Sequence, residues 1–313
     1  MLKIVVSSGG FGQHSGGGKL YNVWAQLLRK NGYDAVIATE NGTTVNKDWL
    51  VNQQPIVSYK DVSNAKAAGC TIKFMTGWLV GNHVHVLSSL ADGGIIYHFD
   101  AETKYSMGPH LPIIKRLAPK LRTGVHSRYE QAWYMATFGW TPTFINEWSD
   151  ASVFFDETSK RVPGRIGCLD SADRFEELKR RLEKHPGCES VIMTSGNEQE
   201  VADKMRTVDI FVGLNPPKEP LWGEGCPRTQ QEAMHCGCAL AAFDVKGNRE
   251  YLYDGWTGMM APANNWDVLE RKVSALLDDS VLKEHVRSEG KNLVNNLFSE
   301  KGKIELVKEF LEL

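Results

Sequence analysis

Nowhere in this 313-residue sequence does an apolar run reach the roughly 20 positions that a bilayer-crossing helix requires. The opening MLKIVVSSGG turns into glycines after one short strand, without the extended apolar core and cleavage site of a secretory leader. A soluble, cytoplasmic chain is expected. Cysteine is sparse and unpatterned: Cys70, Cys168, Cys188, Cys226, Cys236 and Cys238 form no framework in a chain large enough to need no staples. Reduced thiols follow. The run His235-Cys236-Gly237-Cys238 lacks a usual zinc spacing and no second cysteine pair follows it, so it reads as a helix end closed by Gly237 and no metal is expected. Neither sign of charge prevails, with 36 Lys and Arg against 38 Asp and Glu and a net charge of -2, which removes any global pull towards nucleic acid. Short repeats and low-complexity tracts are also missing.

What remains is a chain that is 42% hydrophobic and long enough to bury two ordinary cores. KIVVSS, a glycine loop, KLYNVWAQLLRKNG and YDAVIATE alternate strand and helix, and Leu20, Val23, Trp24, Leu27 and Leu28 form a helical stripe that Asn31-Gly32 ends. This is the βαβ unit of a parallel sheet. CTIKFMT and GGIIYHFD are further strands, with a helix expected at about 79–90 between them. HLPIIKRLAPKLRTGVHSRYEQAWYMATFG is read as helical pieces broken at Pro112 and Pro119. Periodicity fades over residues 141–165, the candidate linker. Alternation then resumes with RIGCL, helix 172–185, SVIMTSG, helix 197–206, VDIFVGL, a helix from about residue 228 and CALAAFD, followed by helices near 266–278, 281–297 and 301–312.

Two short stretches carry chemistry. In GGFGQHSGGGK neither a P-loop nor a dinucleotide fingerprint fits in register, because Gln13 and Ser15 stand where each pattern needs glycine. Gly16, Gly17 and Gly18 nevertheless lie just before a helix, where backbone N–H groups and the dipole favour an anion. The second stretch is GEGCPRTQQEAMHCGCALAAFD. Glu224 precedes a helix, Pro227 suits its first turn, and Glu232 lies about one turn inside. A helix end at Arg228 and Thr229 attracts an anion, while a bare carboxylate repels one. Carboxylates accept from paired hydroxyls, so an anion flanked by two hydroxylated groups satisfies both acids. A sugar nucleotide has that form: a diphosphate between a ribose and a sugar.

The run EGCPRTQQEAMHCGCALAAFDVKGNREYLYDGWTGMMAP resembles the signature of the family-4 retaining glycosyltransferases: Glu, seven residues, Glu-Ala-Met, a Cys-Gly, a strand ending in Asp, Gly-Asn-Arg-Glu, Asp-Gly and Thr-Gly. The glycine loop and FINEWSD extend the likeness more loosely. The resemblance implies the GT-B fold, an α/β architecture of two doubly wound Rossmann-like domains facing a cleft. The domains would be residues 1–145 on the acceptor side and 146–297 on the nucleotide-sugar side, with a terminal helix in 298–313 packing back towards the first. It implies contacts from Glu224 to the donor sugar and from Glu232 to the ribose. Gly225, Cys226, Arg228 and Thr229 would meet the sugar and diphosphate, and Gly17 and Gly18 the phosphates. A His near the end of IIYHFD often faces the donor in this family, which nominates His98. The Arg that neutralises the leaving diphosphate corresponds to Arg165. Its companion Lys has no counterpart, since the loop reads Asp170-Ser171-Ala172-Asp173; Arg128, Arg174, Lys218 and Arg228 are the substitutes.

The resemblance thus implies transfer of a sugar from a nucleotide-sugar, with retention, to a glycan, a lipid-linked glycan or a small molecule. The nucleotide-sugar is a substrate, and no cofactor or metal is required. Asp100-Ala101-Glu102 superficially matches the metal-holding acids of the other large glycosyltransferase fold, and the two-domain organisation argues against that role. Lys104, Lys115, Arg116, Lys120, Arg122 and Arg128 make residues 104–128 either a solvated basic face or a peripheral contact with the inner membrane face. Two other functions are compatible with the same fold: a nucleotide-sugar-modifying enzyme of the epimerase kind, and a non-catalytic binding protein descended from a transferase.

Overall fold

The computed structural model describes residues 1–7, 16–42, 49–76, 90–92, 95–99, 122–215 and 224–313. The chain divides into two compact units, Met1–Glu147 with Glu300–Leu313, and Trp148–Ser299.

In the first unit the strands β1 (Leu2–Ser7), β2 (Ala35–Thr39), β3 (Ile56–Ser58), β4 (Thr71–Thr76), β5 (Ile95–Phe99), β6 (Arg122–Val125) and β7 (Thr143–Phe144) form a parallel sheet in the order 3-2-1-4-5-6-7. Helix α1 (Gly16–Lys30) buries the stripe of Leu20, Val23, Trp24, Leu27 and Leu28, and Gly32 at φ 85° takes the chain out of the helix. Helix α2 (Tyr59–Ala67) is started by a reciprocal cap in which Ser58 accepts from the Asp61 amide and Asp61 from the Ser58 amide. Both escaped the sequence reading, β3 because three residues carry no period and α2 because it buries little beyond Tyr59 and Val62. A correction is needed at 122–125. Of the stretch expected to be broken helix, residues 110–121 lie outside the described residues, Arg122–Val125 form β6, whose carbonyls and amides pair β5 to β7, and Arg128–Phe138 is helical (α3), capped by Ser127 and Glu130 and ended by Gly139. The expected helix near 79–90 falls almost wholly outside the described residues.

The second unit carries β8 (Arg165–Cys168), α4 (Ala172–Leu182), β9 (Ser190–Met193), α5 (Glu198–Thr207), β10 (Ile210–Gly213), α6 (Arg228–His235), β11 (Ala239–Phe243), β12 (Met259–Ala261), α7 (Trp266–Asp278) and α8 (Ser280–Leu297). Its parallel sheet runs 12-11-10-8-9. Alternation along the central strands feeds two cores: Ile210, Val212, Ala239, Ala241 and Phe243 pack with α4 and α7, while Phe211, Leu240 and Ala242 pack with α5, α6 and α8. Helices cover both faces, which is why these strands read as continuous apolar runs.

The last helix, α9 (Lys303–Leu311), belongs to the first unit. Phe310 meets Trp24 edge-on at 6.0 Å, Lys30 pairs with Glu300 at 2.8 Å, and Arg122 pairs with Glu312 at 2.5 Å. No helix among the described residues is long and apolar enough to cross a membrane.

Candidate functional site

In the second sheet the chain leaves β8 towards β9 on one side, then returns to place β10 on the other. The loops after β8 and β10 therefore diverge at their carboxyl ends, leaving the crevice in which doubly wound folds bind ligands. Helix α4 starts beyond the first of these loops and α6 beyond the second. Arg174, in the first turn of α4, joins them by donating to the Leu214 carbonyl, with its guanidinium also 3.8 Å from Asp170 and stacked 5.5 Å from the Phe243 ring.

At this edge α6 begins with Pro227 as its N-cap residue, which makes no side-chain cap hydrogen bond. An uncapped start leaves the dipole to an external anion. The preceding backbone is held rigidly. Glu224 forms an isolated parallel bridge with Lys246, the Gly247 amide donates to the Glu224 carbonyl at 3.0 Å, and a Cβ on Gly247 would collide with the Glu224 and Gly225 carbonyl oxygens. Glu224 itself is half-buried. Gln231 donates to the Cys226 sulfur at 2.8 Å. Behind the helix Asn248 donates to the Phe243 carbonyl at 2.8 Å and Gln230 to Asn215 at 3.3 Å, and the Tyr251 hydroxyl lies 3.0 Å from the Pro227 carbonyl. These buried amides and hydroxyl set the direction of the helix start.

Glu232 lies one turn in, 2% exposed, with its carboxylate 4.0 Å from the Arg228 guanidinium, which also donates to the Trp148 carbonyl at 3.1 Å. His235 ends the helix, with Nε2 3.3 Å from the Phe298 carbonyl and Nδ1 2.9 Å from Asn295. Both ring nitrogens thus face acceptor oxygens, and burial lowers the ring's pKa despite those bonds. Burial pushes the Cys236 thiol up to about 12 and raises Cys238 well above the ordinary thiol range, so these two pack as neutral thiols.

The structure brings Glu224, Gly225, Cys226, Arg228, Thr229 and Glu232 together, and it places Arg165 elsewhere. Arg165 is the first residue of β8, in register with Ser190, and its Nε lies 3.2 Å from Glu189 and 3.3 Å from the Ser190 hydroxyl. In a parallel sheet that is the amino edge, opposite the start of α6. Arg165 is therefore corrected from a diphosphate ligand to a surface ion pair. Of the substitutes, Arg174 and Arg228 stand at the carboxyl edge. Arg128 lies over Phe144 in the first unit, and Lys218 is outside the described residues. A cavity of about 500 Å³ on the amino side is also charged, yet its cations are matched: Arg161 and Lys291 each lie 2.6 Å from Asp156, and Lys283 and Arg287 hold Asp209.

In the first unit Gly17 and Gly18 occupy the first turn of α1, the next described element after β1. His98 is on β5, paired in register with Gly124; its side chain, like Asp100, Ala101, Glu102 and the basic stretch 104–121, is outside the described residues. One residue beyond β6, at the same carboxyl edge, lies a histidine that sequence reasoning missed. His126 is 1% exposed, its Nδ1 is 3.1 Å from Glu147, and its amide donates to Glu130 at 2.9 Å. The signal was a His just past a β-branched residue and before a capping box, hidden once the preceding strand was read as helix.

Residues 164–293, which include both glutamates, match the family model described as glycosyl transferases group 1. A curated relative is the N,N'-diacetylbacillosaminyl-diphospho-undecaprenol alpha-1,3-N-acetylgalactosaminyltransferase of Campylobacter jejuni, 28% identical over 108 residues. That alignment takes in 32% of this chain and 27% of the enzyme, so the chain matches little more than a quarter of its relative's length. Among solved structures, Anabaena HepE in complex with UDP and glucose is similar with a TM-score of 0.76 at 12% identity over 99% of both chains. The sucrose-phosphate synthase of Thermosynechococcus elongatus has a TM-score of 0.71 at 14% identity, again over 99% of both. Likeness at such identity establishes the fold, which is GT-B with two Rossmann-like domains. The family match supports a glycosyltransferase family for the second unit.

Proposed function

We propose that the protein is a retaining glycosyltransferase that binds a nucleotide-sugar at the start of α6 and transfers its sugar without a metal. The observation that carries this reading is the uncapped N-terminus of α6 at the switch point of the second sheet, with Glu224 before it and Glu232 within it. The helix start holds the diphosphate, Glu224 accepts from donor-sugar hydroxyls, and Glu232 accepts from the ribose. In the reaction the carbon–oxygen bond to the diphosphate breaks first, leaving an oxocarbenium-like sugar. The acceptor oxygen then bonds to that carbon on the same face, and its proton passes to the departing diphosphate oxygen. Stabilisation of that oxygen by the helix end and nearby cations supplies most of the rate.

A lipid-linked glycan is our first choice of acceptor, because a named relative acts on an undecaprenol-diphosphate substrate, and a peripheral site at the inner membrane face would serve it. The experiment is thermal denaturation with UDP, GDP, ADP and TDP, followed by transfer assays with the nucleotide-sugars of the responding base. At a hundredfold excess over its dissociation constant the correct nucleotide stabilises the fold by about 2.7 kcal/mol. Glu224→Gln should keep that response and lose turnover, and activity should survive EDTA. No response to any nucleotide would sink the proposal, and equal loss of binding and turnover in Glu224→Gln would make Glu224 a structural cap.

A further inference from the structure

The loop after β8 offers Asp170 and Asp173 where the family resemblance leads one to look for a lysine, and the cations at the carboxyl edge of the second sheet are mostly committed. Arg174 lies 3.8 Å from Asp170 and donates to Leu214, Arg228 lies 4.0 Å from Glu232, and Arg249 holds both carboxylate oxygens of Asp244, one of them at 2.9 Å. A guanidinium already matched by a carboxylate brings little net charge to an anion. Among the described residues of this edge Lys246 is the least committed: it is half-buried, its ammonium enters no ion pair there, and its charge acts only through space on Asp244, which Arg249 already holds.

Its backbone is unusual too. Lys246 has φ 74° and ψ -63°, and the Gly247 amide reaches back to the Val245 carbonyl at 2.9 Å, closing a three-residue turn in its rare, strained form. Glycine takes that conformation at least steric expense, so a lysine here is held against its own preference. Two contacts hold it: the parallel bridge to Glu224, which includes the bond from the Gly247 amide to the Glu224 carbonyl, and the bond from its own amide to Asp244 at 3.1 Å. The strained residue is thereby fixed beside the glutamate that precedes α6.

We infer that Lys246 supplies the positive charge missing from the loop after β8, and that it binds the anionic diphosphate of the nucleotide-sugar and stabilises it as it leaves. The inference rests on the function proposed above. A flexible ammonium on a four-carbon stem suits this task, since it follows a leaving oxygen without needing a fixed planar geometry.

The test uses the full chain, with UDP and the other nucleoside diphosphates as probes, and the variants Lys246→Gly, Lys246→Met and Lys246→Arg. Lys246→Gly should raise the melting temperature without ligand by about 2–4 °C, because it releases the turn strain. Both Gly and Met variants should weaken nucleoside diphosphate binding at least tenfold and lower turnover further, while Lys246→Arg should recover most of the binding. If Met binds the nucleotide as the natural protein does, the charge assignment is wrong. A lower melting temperature for both Gly and Met would instead make the side chain a structural one. If the natural protein binds none of the nucleotides, the proposed function fails and this inference with it; if only the variants are indifferent, this inference fails alone.

Discussion

Replacing Gly247 by Ala tests whether the site is built by the close approach of two backbone segments. Gly247 needs no left-handed conformation. Its hydrogen atom instead faces the Glu224 and Gly225 carbonyls, and a methyl group would stand well inside the 3.0 Å that real Cβ atoms keep from such atoms. Those are backbone atoms, so no rotamer change relieves the clash. Overpacking of this kind costs roughly 1–3 kcal/mol, and separating the segments also weakens the 3.0 Å bond from Gly247 to Glu224, worth about 1 kcal/mol. The expected loss is about 2–4 kcal/mol, or roughly 4–16 °C in melting temperature for a unit of this size. Gly255 provides the control. It has φ 76° with nothing within 4 Å of a built Cβ, so Ala there meets only the conformational penalty of about 1–2 kcal/mol. Thermal denaturation should rank Gly247→Ala below Gly255→Ala, and only the first should impair nucleotide binding. If Gly255→Ala is the more damaging, or Gly247→Ala binds nucleotide normally, the packed-backbone account of the site is refuted.

Asp209 gives a pH prediction. Burial raises its carboxyl, but Lys283, the Gly164 amide and Arg287 lower it more, so its folded pKa lies below 3.8. Its stabilising contribution is therefore complete above about pH 4 and is lost as the pH falls through the folded value. Asp209→Asn, which leaves Lys283 without its carboxylate and Arg287 with only the exposed Glu284, should cost about 3 kcal/mol at neutral pH, and acid titration should show the gap between the two proteins closing below pH 4. Thiol titration of the native protein should find Cys70 and Cys188, which are partly exposed, reacting ahead of Cys168, Cys226, Cys236 and Cys238, which are buried. A fast third or fourth thiol would contradict that burial.

Much of the local structure was legible because burial imprints a period on the sequence. The stripe from Leu20 to Leu28, ended by Asn31-Gly32, marks α1, and the unbroken apolar runs of β10 and β11 mark strands covered on both faces. Pro227 before Arg228 marked the start of α6 to within a residue. The glutamate pair was visible for the same reason, since its spacing and the helix start are both local. Where the pattern is short or interrupted, the reading failed. β3 has three residues, and β6 is four residues of RTGV set in a basic, proline-containing stretch. A period needs several repeats before it can be told from chance.

Other features have no local signature at all. Arg165 and Arg174 are nine positions apart around one strand, and nothing in their neighbours says that one ends on the amino edge beside Glu189 while the other reaches Leu214 on the carboxyl edge. That depends on strand order, which sequence-distant pairing decides. His126 and Glu147 meet only because β6 and the segment after β7 run side by side, and α9 joins the first unit through Phe310 and Trp24, far apart in the chain. The sequence by itself determined the α/β alternation and the acid-flanked helix start, because each is set by residues within a turn or two of one another. Only the tertiary structure decided which cations share an edge with that helix start, and that Lys246 is held in a strained turn against Glu224, because both follow from where the sheet places segments that the chain keeps apart.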